Sequence, residues 1–65
     1  MKLALYSRIR YIGPSGLYDG VKVNDVGYII EDYDDGNYEV EFSDADGSTR
    51  AQSVIPEDFL QLAEI

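Results

Sequence analysis

The chain has 65 residues with neither cysteine nor histidine, and 13 acidic residues outweigh five basic ones to give a net charge of -8. This composition excludes a disulfide scaffold and a zinc module built on Cys and His. The acidic balance also argues against a nucleic-acid backbone as the ligand, since Lys and Arg carry that binding. A chain this short has room for one packed core, so we expect a single domain over residues 1–65.

The N-terminal segment KLALYSRIRYI, residues 2–12, alternates with a period of two residues and predicts a first strand. Four residues would share its buried face: Leu3, Leu5, Ile9 and Tyr11. The arginines at positions 8 and 10 come too early for the core of a signal peptide, and no apolar run approaches membrane-spanning length. We therefore expect a cytoplasmic protein with no membrane partner.

A long loop and a hairpin follow. GPSG (13–16) and LYDGVKVNDVG (17–27) are rich in residues that break regular structure and predict a surface loop. YIIEDYDDGNYEVEF (28–42) predicts two strands around the turn DDGN, whose residues tolerate left-handed backbone. In the second of these strands Tyr38, Val40 and Phe42 would lie on one face. Glu39 and Glu41 would lie on the other.

The last third of the chain predicts a second hairpin and a short final strand. SDADGS (43–48) contains Asp46-Gly47, a dipeptide typical of hairpin connections, and TRAQSVI (49–55) predicts a fourth strand. Pro56 and the acids after it predict a single helical turn before LQLAEI (60–65) extends again. These elements predict a small all-β barrel. Its core candidates are Leu3, Leu5, Ile9, Val26, Ile29, Val40, Phe42, Val54, Phe59, Leu60 and Leu62.

This order of elements resembles that of SH3-like barrels, in which VIPEDFLQL (54–62) would supply the proline-led turn before the final strand. Residues 24–62 also resemble a family of small bacterial proteins catalogued as a domain of unknown function. Its members contain a hairpin close to GDVGTVVEVYPDGAYEVEF, then a D-DG-T turn and an acidic turn near a terminal Leu. The resemblance implies a small SH3-like barrel of four to five antiparallel strands with one 3-10 turn before the last strand. It also implies a protein sometimes encoded beside toxin-like proteins, without catalytic residues.

The acids around the hairpin turn do not fit a calcium loop. An EF-hand loop places Gly at position six and Glu at position twelve. Counted from Asp32, glycine falls at position five and position twelve is Ser43; counted from Asp44, glycine falls at position four and position twelve is Ile55. We expect no metal site and no cofactor.

A second interpretation of the same acidic residues is catalysis by a carboxylate pair. Glu39 and Glu41, with Glu31 or Asp32 across the hairpin, would need a pocket that desolvates one member of the pair. Alternating glutamates on the outer face of a hairpin are ordinarily solvated. The serines have no His or Cys to activate them. We therefore expect a protein that is not an enzyme.

Recognition of a proline-rich peptide is a third reading. ALYSR (4–8) resembles the ALYDY opening of peptide-binding SH3 domains, and Tyr6, Tyr11 and Tyr18 could line an aromatic groove. The tryptophan typical of that family is absent. Tyrosines in small barrels more often pack at seams with the hydroxyl in water.

The remaining reading is binding to another protein. Residues 31–46 contain eight acids and no base, and tyrosines within this region supply the amphipathic anchors that interfaces favour. The candidate partner-binding residues are Glu31, Asp32, Tyr33, Tyr38, Glu39 and Glu41. Together with the resemblance, they predict an antitoxin or immunity protein that neutralises a basic toxin by occluding it.

Two alternatives stay open at this point. The protein could be a structural or accessory subunit of a larger complex, contacting it through the loop around Leu17, Tyr18 and Val21. An exposed edge strand could also pair two copies, so the chain is expected to be a monomer or a weak homodimer.

Overall fold

The computed structural model describes residues 2–63. Five strands and one 3-10 turn follow in chain order: β1 (Arg8–Tyr11), β2 (Val26–Asp32), β3 (Asn37–Ser43), β4 (Thr49–Pro56), the 3-10 turn (Glu57–Phe59) and β5 (Leu60–Leu62). All neighbouring strands are antiparallel, in the order β4-β3-β2-β1-β5. The predicted fold class is confirmed in its all-β content, its five antiparallel strands and its 3-10 turn before the last strand. The sheet is open, with β4 and β5 at its edges.

The first strand is shorter than predicted. Tyr6 has a φ of 65°, and the amide of Ser7 donates to the carbonyl of Ala4 at 3.2 Å, so residues 4–7 form a turn. The alternation of the sequence passes through this turn without forming a strand there. Leu3 is buried as predicted, but Leu5 is 48% exposed and does not join the core.

The core combines the inner face of the sheet with Leu3 of the N-terminal segment and Val21 of the long loop over residues 12–25. Its buried members are Leu3, Ile9, Tyr11, Val21, Ile29, Tyr38, Val40, Phe42, Ile55 and Leu60. The alternation predicted for β3 is confirmed, because the odd-numbered glutamates face away from three buried neighbours. Each fully buried aliphatic or aromatic side chain stabilises the fold by about 1.5–3 kcal/mol.

Two predicted core positions in the last third of the chain, Val54 and Leu62, were wrong. Val54 is 45% exposed and Ile55 is buried in its place, because β4 pairs Val54 with Glu39 and Ile55 with Tyr38. Directly paired residues share a face of the sheet, so Val54 lies on the side of the glutamate. Leu62 is exposed near the end of the edge strand β5, and Val26 and Phe59 are only partly buried.

Within residues 2–63, no helix is long and apolar enough to cross a membrane.

Candidate functional site

The tip of the β2–β3 hairpin is explained by backbone geometry. Asp34 and Gly36 have φ values of 61° and 90°, the left-handed region that Asp and Gly tolerate in turns. The Asp35 carboxylate accepts the amide of Asn37 at 3.0 Å, and the amide of Tyr33 donates to the carbonyl of Asn37 at 3.2 Å. The acids of the tip therefore build the turn.

Asp32 faces the N-terminal segment instead of the outer side of the hairpin. Its carboxylate accepts the amide of Asp34 at 2.9 Å and lies 3.2 Å from the ammonium of Lys2, which also contacts Asp34 at 2.7 Å. The backbone hydrogen bond from Asp34, followed by the contact with Lys2, lowers the pKa of Asp32. Both carboxylates raise the pKa of Lys2. Of the predicted site residues, Asp32 is thus already neutralised within the chain.

Tyr38 was predicted to contact a partner, but the structure places it in the core with 2% exposed. Its hydroxyl accepts the amide of Leu3 at 3.0 Å and donates to the carboxylate of Glu57 at 3.1 Å. The cause is the alternation of β3, which turns Tyr38 inward with Val40. Tyr38 therefore packs in the core beneath the hairpin and has almost no exposed surface that a partner could contact.

Three predicted residues come together on the outer side of the sheet, where Glu31, Glu39 and Glu41 form what we call the acidic face. The register of β2 against β3 shifts between Ile29 and Glu31, so Glu31 lies directly opposite Glu39. Without this bulge, Ile30 would take that place, since one extra residue inverts the side-chain direction. The bulge therefore sets two like charges opposite each other.

Apolar side chains adjoin the acidic face on both sides. Tyr28 on β2 pairs with Glu41 and is 48% exposed, and Val54 on β4 pairs with Glu39. The sequence predictions did not include either residue in the site. For Tyr28, alternation from the buried Ile29 was an available signal. For Val54 the sequence held none, because its direction depends on the pairing of β4 with β3.

Two hydroxyl groups orient the glutamates. The hydroxyl of Tyr33, a half-exposed predicted site residue, donates to the Glu39 carboxylate at 2.7 Å. The hydroxyl of Thr49 donates to the Glu41 carboxylate at 3.0 Å. The hydrogen bond to Glu39, with smaller contributions from desolvation and from the charges of Glu39 and Glu31, raises the pKa of Tyr33.

Within the described residues, no Lys or Arg forms an ion pair with a glutamate of the acidic face, although Arg8 pairs with Tyr28 and so lies on the same side of the sheet. The ion pairs of residues 2–63 lie elsewhere: Lys2 contacts Asp32 and Asp34, and Arg50 contacts Asp25 at 2.7 Å and Asp44 at 3.7 Å. The acids of the loops and of the hairpin tip are thus partly balanced within the chain. The three glutamates of the acidic face take no part in these ion pairs.

A metal site and an aromatic groove were two other sites considered from the sequence. In the part of the chain that the structure describes, no three Asp or Glu side chains converge to hold a metal ion. Tyr11, which the sequence placed in a candidate aromatic groove, is buried and donates its hydroxyl to the carbonyl of Pro14 at 2.6 Å. Tyr18 packs edge-on against it, with ring centroids 5.9 Å apart. These two tyrosines belong to the packing of the loop.

The fold and this surface define a class: a small all-β domain with an acidic, partly apolar outer sheet face. The family described as a domain of unknown function (DUF4926) matches residues 17–62, and the chain belongs to that family. Comparisons with curated proteins and with solved structures gave no match.

Proposed function

We propose that the protein is a non-catalytic binding module whose acidic face docks on a basic protein. The observation that carries this proposal is the cross-strand pair of Glu31 and Glu39, two like charges that make no ion pair within residues 2–63. Like charges directly opposite each other in a sheet destabilise it, by about 0.2–1 kcal/mol. A basic partner would relieve this repulsion on binding.

The half-exposed Tyr28, Tyr33 and Val54 adjoin the charges. Aromatic anchors commonly dominate the binding energy of an interface, whereas charges mainly steer the encounter and select the partner. The acidic face and its apolar neighbours therefore offer both components of a protein interface on one side of the sheet.

The specific form that we propose is an antitoxin or immunity protein acting in the cytoplasm. A nuclease or a ribosome-directed toxin holds its substrate's phosphates with a basic cleft. An acidic surface complementary to that cleft would occlude it without any chemistry of its own. The resemblance of residues 24–62 to a family implied to lie beside toxin-like proteins supports this form of the proposal.

Capture from the lysate of the source organism tests the proposal. The tagged protein should retain one stoichiometric basic protein, and the double substitution Glu39→Lys with Glu41→Lys should abolish its capture. Asp19→Lys with Asp58→Lys is the matched control, because it makes the same change in net charge at two exposed positions away from the acidic face. Equal capture by both double variants would refute the role of the acidic face.

An accessory subunit of a larger complex is the second candidate, and a different surface favours it. The loop over residues 12–25 leaves Leu17 and Val23 about half exposed, and Tyr18, Val21 and Val23 line an open depression of about 580 Å³. If the protein docks on a larger complex through this loop, the double substitution Leu17→Ser with Val23→Ser should abolish co-purification with that complex. It would keep the complex on reversal of Glu39 and Glu41.

Absence of catalysis is part of the proposal and has its own test. The purified protein should show no turnover on esterase, phosphatase and glycosidase substrates. Turnover that co-purifies with the protein and is lost on Glu39→Gln would contradict a binding role.

A further inference from the structure

The edge strand β4 is open to pairing on its outer side. None of the backbone hydrogen bonds that the described residues make outside the strand ladders involves residues 49–56. The loop approaches the start of the strand, where a Cβ on Gly20 would lie 3.2 Å from that of Ala51. Residues 52–55 therefore present unpaired backbone donors and acceptors at the edge of the sheet.

Residues 51–55 of this edge lack the features that usually prevent strand addition, because the register shift of β4 against β3 lies before them, between Thr49 and Ala51. Proteins protect exposed edges with Lys, Pro, bulges or short strands. The stretch from Ala51 to Ile55 carries no charge and no proline in a chain with 28% charged residues. Arg50 is held by Asp25, and Pro56 stands only at the end of the strand. The opposite edge, β5, has three residues.

We propose that the partner adds an extended segment to β4 over residues 52–55, with basic side chains on the outer side. This inference rests on the proposed function and specifies how the partner binds. A strand beside β4 lies about 10 Å from β3, two strand spacings away. Extended Lys or Arg side chains can cross that distance, over Gln52 and Val54, to the carboxylates of Glu41 and Glu39.

The same register fixes the chemistry of the other positions. Gln52 and Val54 lie on the outer face, whereas Ser53 is half-buried and Ile55 is fully buried on the inner one. Alternate residues of an added strand would therefore face the acids and the rim of the core in turn. The segment that fits is basic at one set of positions and apolar at the other. A second copy of this chain fits poorly, because pairing two β4 edges brings two net charges of -8 together.

A blocked synthetic peptide of alternating lysine and valine tests this inference. At a peptide concentration of about ten times Kd, hydrogen exchange should slow about tenfold for those amides of residues 52–55 that point away from β3. The amides of β5 should keep their exchange rates. A peptide of alternating glutamate and valine should not bind. Failure of the lysine peptide to bind, or binding that protects no β4 amide, overturns the inference. So does a wild-type dimer in sedimentation equilibrium whose β4 amides are already protected.

Backbone methylation separates strand addition from charge attraction. All lysine amides of an added strand point to one side and all valine amides to the other. N-methylation of one set should therefore abolish binding, and methylation of the other set should leave it intact at unchanged charge. If both methylated peptides bind and reversal of Glu39 and Glu41 abolishes this binding, strand addition is refuted and the proposed function is retained. If the lysine peptide still binds and still protects the β4 amides after charge reversal of Glu39 and Glu41, the acidic face does not contribute to its binding.

Discussion

At the scale of single residues, Tyr38 joins the N-terminal segment to the 3-10 turn. Its hydroxyl bonds the amide of Leu3 and the carboxylate of Glu57. We expect Tyr38→Phe to lower the free energy of unfolding by about 1–3 kcal/mol, because the buried amide of Leu3 loses its acceptor. Urea denaturation measures this change. Tyr33→Phe, at a half-exposed position, should lower the free energy of unfolding by less than about 0.5 kcal/mol. An effect of Tyr38→Phe as small as that of Tyr33→Phe would show that the Tyr38 contacts do not stabilise the fold.

Tyr33 reports the charge of the acidic face through its own titration. Its pKa is raised chiefly by the hydrogen bond to Glu39. A group whose pKa is raised in the folded state stabilises that state below its unfolded pKa, about 10 for Tyr, and this contribution is lost as the pH rises through the folded value. Carbon-13 resonances of labelled tyrosines should show the pKa of Tyr33 falling on Glu39→Gln. The same change at Glu41 should leave it unmoved, and an equal fall in both variants would contradict the specific contact.

At the scale of elements, the paired strands hold Glu31 against Glu39. We expect Glu31→Gln to raise the free energy of unfolding by about 0.2–1 kcal/mol, because it removes the repulsion across the ladder. The gain should shrink as salt is added, since screening weakens the repulsion of exposed charges. Thermal or urea unfolding at low and high salt measures it. Asp19→Asn is the control, and a loss of stability on Glu31→Gln would show that this glutamate has a stabilising role instead.

The hairpin also shows which features the sequence could predict. The alternation of β3 identified Glu39 and Glu41 as outward and Val40 and Phe42 as inward, because a strand has a fixed period of two. The same pattern implied the inward direction of Tyr38, although that residue was included in the predicted site. Local pattern and the burial of one face were enough for this strand.

Other elements depended on long-range pairing that the local pattern does not contain. The alternation near Leu5 continues through a turn that requires a positive φ at Tyr6. The bulge after Ile29 decides that Glu31 faces outward, and the register of β4 decides that Val54 does. Each of these depends on which residues pair across strands, so the sequence predicted the strands better than it predicted the composition of the surface.

At the scale of the whole molecule, some acidic side chains form ion pairs within residues 2–63 and those of the acidic face do not. Lys2 and Arg50 neutralise acids at the hairpin tip and the loops, whereas the acidic face makes no ion pair within residues 2–63. The molecule has a net charge of -8, and the distance over which exposed charges act falls from about 10 Å at 0.1 M salt to about 3 Å at 1 M.

The association kinetics of the captured partner test the central claim, that the acidic face is the binding surface, most directly. Electrostatic steering changes association rates by about 10- to 1,000-fold and is screened by salt. We predict that added salt slows association with the wild-type protein and with Asp19→Lys/Asp58→Lys much more than it changes dissociation. Glu39→Lys/Glu41→Lys should associate far more slowly, with little dependence on salt. Equal association rates and equal salt dependence for the two double variants would contradict the claim.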